Sequence, residues 1–285
     1  MVIVRIFGGL GNQMFQYALY YALCARGVDA YIDISWYSRN NCHNGYELNR
    51  VFDIQGKFAN SLDVKRLAEN DQNILWKAWH KLIRHKKTFF CKYGIDAIRF
   101  FPEVFKLDEI YLSGYWQSEK YFKEYKNDIR KLYSFSPFED LDNINIANMA
   151  TTTESVSIHV RRGDYLNEPL LNGICDEQYY VAAIEEIKAM VDNPVFFIFS
   201  NDILWCKTHF NQINAVFVEN NTGKNSYRDM QLMSLCKHHI IANSSFSWWG
   251  AWLGKRETGI TVCPREWMHS NDKCADIVCD DWIPI

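Results

Sequence analysis

The sequence predicts an α/β protein of two domains, each a parallel sheet covered by helices on both faces. Three observations predict it. The chain opens as strand, glycine-rich turn, helix, strand. A polar passage near its middle is followed by a second alternation of strands and helices, with strands that are largely apolar. The length, 285 residues, corresponds to about two domains of roughly 150 residues each. Apolar strands alternating with helices are the sequence form of a sheet buried on both faces.

Residues 2–7 form a short β-branched apolar run that ends in Gly8-Gly9-Leu10-Gly11. Met14, Tyr17, Ala18, Tyr21, Ala22 and Ala25 then recur at helical spacing, with Gly27 as a C-terminal stop. Residues 28–34 read as a second strand, completing a βαβ opening. Over 37–101 the pattern is harder to read. Helices are predicted at 63–70 and 73–85, the latter carrying Lys81, Arg84, His85, Lys86 and Lys87, a basic cluster read as a solvated helix face. A strand at 110–115 and an amphipathic helix at 119–133 follow. The polar stretch from Ser136-Pro137 through residues 140–148 to Thr151-Thr152-Thr153-Glu154 is the expected connector, dividing domains 1–150 and 151–285. Beyond it, strands are predicted at 155–160, 194–199, 215–218, 239–242 and 260–263. Asp176 caps a helix running to Val191, and further helices are expected at 226–236 and 245–253.

Composition narrows the function classes. Apolar residues make up 48% and charged residues 23%, the balance of a folded chain. Thirty-one Lys and Arg against 34 Asp and Glu leave a net charge of −3, which argues against a nucleic-acid partner. The start lacks the basic head and apolar stretch of a signal peptide, and no window approaches a membrane span. The expected location is therefore the cytoplasm, with at most peripheral contact at the inner face of the membrane. The nine cysteines, an odd number with no Cys-x-x-Cys pair, read as buried reduced thiols. The 10 Trp, 16 Tyr and 18 Phe suit a core and also suit sugar stacking.

Two constellations could carry chemistry. His159-Val-Arg-Arg-Gly-Asp-Tyr165 sits at the end of the 155–160 strand, and ligands bind beyond the carboxyl ends of parallel strands. Adjacent Arg161 and Arg162 suit a diphosphate, because guanidinium forks pair bidentately with phosphate oxygens. The plainer reading makes them structural ion pairs with Asp164 or Glu168. Asn243-Ser-Ser-Phe-Ser-Trp-Trp-Gly250 places Ser244 or Ser245 at a helix start, a phosphate cradle; the plainer reading is a serine N-cap followed by core tryptophans. If the sheet is wound as expected, both lie on one edge. Ser226-Tyr-Arg-Asp229 has the form of a capping box, and the Gly8–Asn12 turn is an incomplete dinucleotide fingerprint. Asp140-Leu-Asp142 reads as a solvated turn rather than a metal site, and His238-His239 as the close of a helix without a third metal ligand.

Four segments together resemble the α-1,2-fucosyltransferases of glycosyltransferase family 11: Gly8-Gly-Leu-Gly-Asn-Gln-Met-Phe-Gln-Tyr17, Gly114-Tyr-Trp-Gln117, His159 to Tyr165 and Asn243 to Gly250. The resemblance implies a GT-B fold, two Rossmann-like domains facing each other across a cleft, with acceptors on the first domain and GDP-fucose on the second. It implies inverting transfer from GDP-β-L-fucose, a co-substrate, to the 2-hydroxyl of a terminal galactose, with no metal and no cofactor. By the same resemblance, Arg161 and Arg162 would hold the diphosphate, and His159 and Asp229 would meet guanine. Ser244, Ser245 and Phe246 would line the nucleotide, and Gly11 and Asn12 would reach the donor from the first domain. Glu168 is the favoured base for the acceptor hydroxyl, with Asp164 as orienter of the arginines or alternative base. Competing readings are a fucosyltransferase of another linkage, an NAD-dependent oxidoreductase using the first glycine turn, and a non-catalytic carbohydrate-binding protein.

Overall fold

The computed structural model describes residues 1–40, 43–68, 89–269 and 276–285. The chain forms two compact units, Met1–Leu132 and Tyr133–Ile285. The expected helix at 73–85, with its basic cluster, lies outside the described residues.

The first unit holds a parallel sheet of β1 (Val2–Arg5), β2 (Ala30–Asp33), β3 (Phe89–Lys92) and β4 (Ile110–Gly114) in the order β2-β1-β4-β3. Val2 pairs with Ala30 on one side and Ile110 on the other, so β1 and β4 are neighbours although about a hundred residues separate them. Helix α1 (Leu10–Ala25) follows β1 and ends as expected near Gly27, which adopts φ +79. Leu10, Met14, Phe15, Ala18, Leu19, Ala22 and Leu23 of α1 are all buried, more than one stripe of the helix. Short helices α2 (Leu48–Phe52) and α3 (Ser61–Leu67) follow β2, α3 capped by the Asn60 side chain.

The expected helix at 119–133 is broken. Two 3₁₀ turns, Glu119–Tyr121 and Lys123–Tyr125, precede α4 (Lys126–Leu132). Tyr121 and Phe122 are both fully buried. The chain leaves helical geometry at Phe122 (φ −134), between the two turns.

The polar passage read as a connector is helix α5 (Leu141–Thr152), and it belongs to the second unit. The units divide earlier in the chain than the expected boundary between 150 and 151. Asp140 caps α5, accepting from the Asn143 backbone N–H (2.8 Å) and the Asn143 side chain (2.9 Å). The Asp140-Leu-Asp142 run is therefore a helix start rather than a free turn.

The second unit carries a six-stranded parallel sheet: β5 (Ser155–Val160), β6 (Val195–Ser200), β7 (Ala215–Val218), β8 (His238–Ile240), β9 (Thr261–Cys263) and β10 (Ile283–Pro284). Its order is β10-β9-β8-β5-β6-β7. The chain starts at the centre, winds to one edge, returns beside β5 and winds to the other, the doubly wound Rossmann arrangement. Helices α6 (Glu177–Met190), α7 (Ile203–His209), α8 (Tyr227–Leu235) and α9 (Ser245–Gly254) connect the strands. Val156, Ile158 and Val160 face one core with Tyr180, Ile184 and Ile187 of α6. Phe197 and Phe199 face the other with Leu232 and Met233 of α8 and Ala150 of α5. His238 and His239 lie buried in β8 rather than closing a helix, and His239 Nδ1 bonds Ser157 Oγ at 2.8 Å. Cys206, Cys236, Cys263 and Cys279 are buried as expected, whereas Cys91 is exposed. No described helix is long and apolar enough to cross a membrane.

Candidate active site

In the second sheet the winding reverses between β5 and β8, which pair directly (Val156 with His238, Ile158 with Ile240). A crevice opens outside the carboxyl ends of strands at such a reversal. The His159–Tyr165 and Asn243–Gly250 segments leave β5 and β8 at this point, so the two predicted constellations share one sheet edge.

His159 is the last β5 residue on the face opposite Val160. It is buried, its ring centroid lies 5.7 Å from that of Phe246, and its Nδ1 has no hydrogen-bond partner. Burial and, secondarily, the Arg161 charge push its pKa down to about 3. The imidazole is therefore neutral near pH 7, with one N–H and one lone pair to offer.

The two arginines differ. The Arg161 guanidinium, partly exposed, donates to Asp164 Oδ2 at 2.8 Å and lies 5.4 Å from the Tyr165 ring centroid. Arg162 turns to the end of β6: its Nε donates to Asp202 Oδ2 at 3.1 Å, its guanidinium stacks 4.4 Å from the Trp205 ring centroid, and its backbone N–H donates to Asn201 Oδ1 at 3.0 Å. The structural ion pairs therefore form, with Asp164 for Arg161 and with Asp202, instead of Glu168, for Arg162. Asn201, Asp202 and Trp205 were missed from sequence. The available signal was the abrupt polar Ser200-Asn201-Asp202 after an apolar strand neighbouring β5. A Cβ at Gly163 would meet Asn201 Nδ2, so the Asn201 side chain would have to shift to admit it.

On the β8 side, Ser244 is the N-cap of α9, its Oγ accepting from Phe246 N at 3.3 Å. Ser245 and Phe246 are half-buried in the first turn, while Trp248 and Trp249 are fully buried. Cap and core tryptophans thus coexist with a helix N-terminus of the kind that attracts anions. Asn243 links the two segments: its carbonyl accepts from Tyr165 Oη at 3.4 Å, and its Nδ2 donates to the carbonyls of Trp267 (3.2 Å) and Leu171 (3.4 Å). His269 adds bonds to the Leu170 and Asn172 carbonyls, 2.8 Å from its backbone N–H and 2.7 Å from Nε2. The turn bearing Asp164 and Glu168 is thus held by groups that follow β8 and β9, and Glu168 itself is exposed.

Asp229 lies in the first turn of α8 but makes no capping box, as Ser226 supplies no side-chain cap bond. Its Oδ1 accepts from Asn221 Nδ2 (2.9 Å), and Asn221 exchanges two 2.9 Å side-chain bonds with Asn143 of α5. Burial raises its pKa to about 7 against the Asn221 hydrogen bond. It belongs to this amide chain rather than to the arginine cluster. A buried carboxyl group with one donor can still accept N–H groups from a ligand.

Gly11 and Asn12 lie in the first unit, where the order also reverses, between β1 and β4. Asn12 Oδ1 accepts from Gln117 Nε2 at 2.8 Å. Gln16 bridges Phe7 N (2.9 Å) and the Gly114 carbonyl (3.1 Å), and Gln13 donates to the carbonyls of Gly8 (3.0 Å) and Gly45 (2.9 Å). Gly8 turns the chain at φ +80. The glycine-glutamine motif thus locks the first turn to the end of β4.

The family described as Glycosyl transferase family 11 matches residues 1–285. The chain is 37% identical over 293 residues to the alpha-1,2-colitosyltransferase of Escherichia coli, covering 97% of each protein. It is 24% identical over 266 residues to galactoside alpha-(1,2)-fucosyltransferase 2 of Sus scrofa, covering 90% of this chain and 70% of the pig protein. Among solved structures, NodZ alpha-1,6-fucosyltransferase soaked with GDP-fucose has a TM-score of 0.50 at 14% identity, covering 88% of this chain and 91% of that one, a likeness of fold. Two Rossmann-like units of the GT-B type, and a family match spanning both, make this chain a member of glycosyltransferase family 11.

Proposed function

We propose that the protein is an inverting transferase that moves L-fucose from GDP-β-L-fucose to the 2-hydroxyl of a terminal galactose, forming an α-1,2 linkage. The observation that carries this reading is the pairing, at one sheet reversal, of the Arg161 guanidinium with the Ser244-capped start of α9, beside a buried His159 whose Nδ1 is unsatisfied. Arg161 exchanges Asp164 for diphosphate oxygens, while Arg162, kept on Asp202, adds positive charge beside it. The N–H groups around Ser244, Ser245 and Phe246 meet the same anion, and no divalent ion is needed. His159 and Asp229 supply the polar contacts to guanine.

In the reaction the acceptor oxygen bonds to the anomeric carbon as the carbon–phosphate-oxygen bond breaks, and GDP departs with the electron pair. Charge grows on the diphosphate, and preorganised cations and N–H groups stabilise it more in the transition state than in the ground state. Glu168, exposed on the turn held by Asn243 and His269, takes the acceptor proton; Asp164 orients Arg161. The enzyme works in the cytoplasm on a soluble donor, with at most peripheral membrane contact.

A second donor is favoured by one observation, the 37% identity to an alpha-1,2-colitosyltransferase. Colitose is fucose without its 3-hydroxyl, so GDP-colitose would use the same diphosphate contacts. Incubation with GDP-fucose or GDP-colitose and a panel of galactosides, with the products analysed by NMR, tests the reading. An α-1,2-linked fucosyl product supports it; turnover of GDP-colitose alone reassigns the donor; no product from either donor refutes it.

A further inference from the structure

Every strand of the first sheet is followed, within three residues of its carboxyl end, by an aromatic residue: Phe7 after β1, Trp36 after β2, Tyr93 after β3 and Tyr115 after β4. The rings converge. The Phe7 centroid lies 4.9 Å from Tyr115, 5.8 Å from Tyr93 and 6.2 Å from Trp36, and Tyr93 lies 5.9 Å from Tyr115. Phe7 is buried and forms the floor; Trp36 and Tyr115 are half-buried, and Tyr93 is 39% exposed. Core rings of the same unit, such as Trp116 and Tyr121, are instead almost wholly covered. The cluster thus holds aromatic surface open to solvent at the sheet edge where ligands bind.

Polar groups line it. The Arg5 guanidinium lies 5.2 Å from the Phe7 centroid, and its NH1 donates to Tyr93 Oη (3.3 Å) and Ser113 Oγ (3.4 Å). The Tyr93 and Ser113 hydroxyls also bond each other. Arg5 is therefore held by neutral hydroxyls, with further N–H donors left on its fork. Immediately after Tyr115, Trp116 takes φ 55, a left-handed conformation that costs free energy for a bulky residue and is found at functional sites.

The ring geometry selects the ligand. The four ring pairs in contact are inclined at 48–74°, so none of these pairs forms a parallel slot for a flat base. A pyranose, with C–H bonds on one face and hydroxyls at its rim, matches inclined rings bordered by a fixed donor fork. We propose that this aromatic cluster is the acceptor subsite, where Phe7, Trp36, Tyr93 and Tyr115 pack the apolar face of the terminal pyranose and Arg5 donates to its hydroxyls. The proposal deepens the transferase reading and rests on it for the word acceptor, although saccharide binding itself can be measured without a donor.

The test uses the full chain with lactose as probe. Saturation-transfer NMR without nucleotide should show lactose bound to the wild type, with the signal lost in Tyr93→Ala and Trp36→Ala. Calorimetry should give all three proteins the same affinity for GDP, which reports intact folding and donor binding. In the transfer assay, KM for lactose should rise about tenfold in each alanine variant, the equivalent of about 1.4 kcal/mol of lost packing, and by less in Tyr93→Phe, which keeps the ring but takes from Arg5 one of its two hydroxyl partners. Absent lactose binding by the wild type, or unchanged binding and KM in both alanine variants, overturns the proposal. Lactose binding without GDP binding instead overturns the donor reading and leaves a saccharide site.

Discussion

Both parallel sheets reverse their strand order near the middle, yet the two reversals are furnished with different chemistry. At the β5/β8 reversal the side chains are Arg161, Arg162, Ser244 and a buried neutral His159, ringed by Asp164 and Asp202. At the β1/β4 reversal they are Phe7 and Tyr115, joined by Trp36 and Tyr93, with the Arg5 guanidinium beside them. The same topology builds both places, but one concentrates charge and the other concentrates aromatic surface. The proposed reading puts a nucleotide diphosphate at the first and a neutral sugar at the second, a distinction that rests on the residues placed at each strand end and not on the fold.

The largest expected effect breaks the charged side of this contrast. Arg161→Lys keeps the positive charge but removes the planar fork, and should lower kcat by about 10²–10³, or roughly 2.7–4 kcal/mol of transition-state stabilisation. Steady-state kinetics at saturating acceptor reads this directly, and wild-type turnover would remove Arg161 from the mechanism.

Next comes Asp229→Asn. Its folded pKa of about 7 stands above the ordinary carboxyl value, so the folded state holds a proton that the unfolded chain has released. Wild-type stability should therefore fall as pH rises from about 4 to about 7 and then level off. The variant keeps an acceptor for Asn221, lacks this slope, and should be the more stable protein above pH 7, by on the order of a few kcal/mol. Chemical denaturation at pH 4, 6 and 8 checks the sign; weaker GDP binding by the more stable variant would show that the buried carboxyl group serves the nucleotide.

Gly163→Ala sharpens the structural part of the same edge. The new Cβ displaces Asn201, which holds the Arg162 backbone, and should cost about 1–3 kcal/mol in thermal unfolding, with weakened GDP binding. The smallest effect, about 1 kcal/mol, is expected from Asp140→Ala, which removes the α5 cap. GDP affinity should change by less than about threefold, because Asp140 reaches Asp229 only through Asn143 and Asn221; a larger loss of binding would mean that this amide chain couples the α5 cap to the nucleotide.

Much of this was legible in the sequence. The apolar strands 155–160 and 194–199 and the Asp176 and Ser244 caps appear in the structure within a residue or two, because continuous burial and cap chemistry leave local signatures. Helix α5 was not legible. Its apolar Leu141 and Met149 face solvent while polar Asn143 is buried, which hides the helical period. The break at Phe122 was hidden because no glycine or proline between residues 119 and 133 marks it. At the site, the arginine and serine segments could be read because each follows a strand. The partners Asn201 and Asp202 could not, because which strand lies beside β5 depends on pairing across the whole unit. The aromatic cluster was invisible for the same reason: its four members lie far apart in sequence and meet only through strand order.

The most direct test is a calorimetric titration of GDP into the wild type and Arg161→Ala, each with and without a chelator. The charged edge predicts binding by the wild type that the chelator leaves unchanged, and a loss of affinity of at least about tenfold in the variant. No binding by the wild type, or equal binding by both proteins, would contradict it.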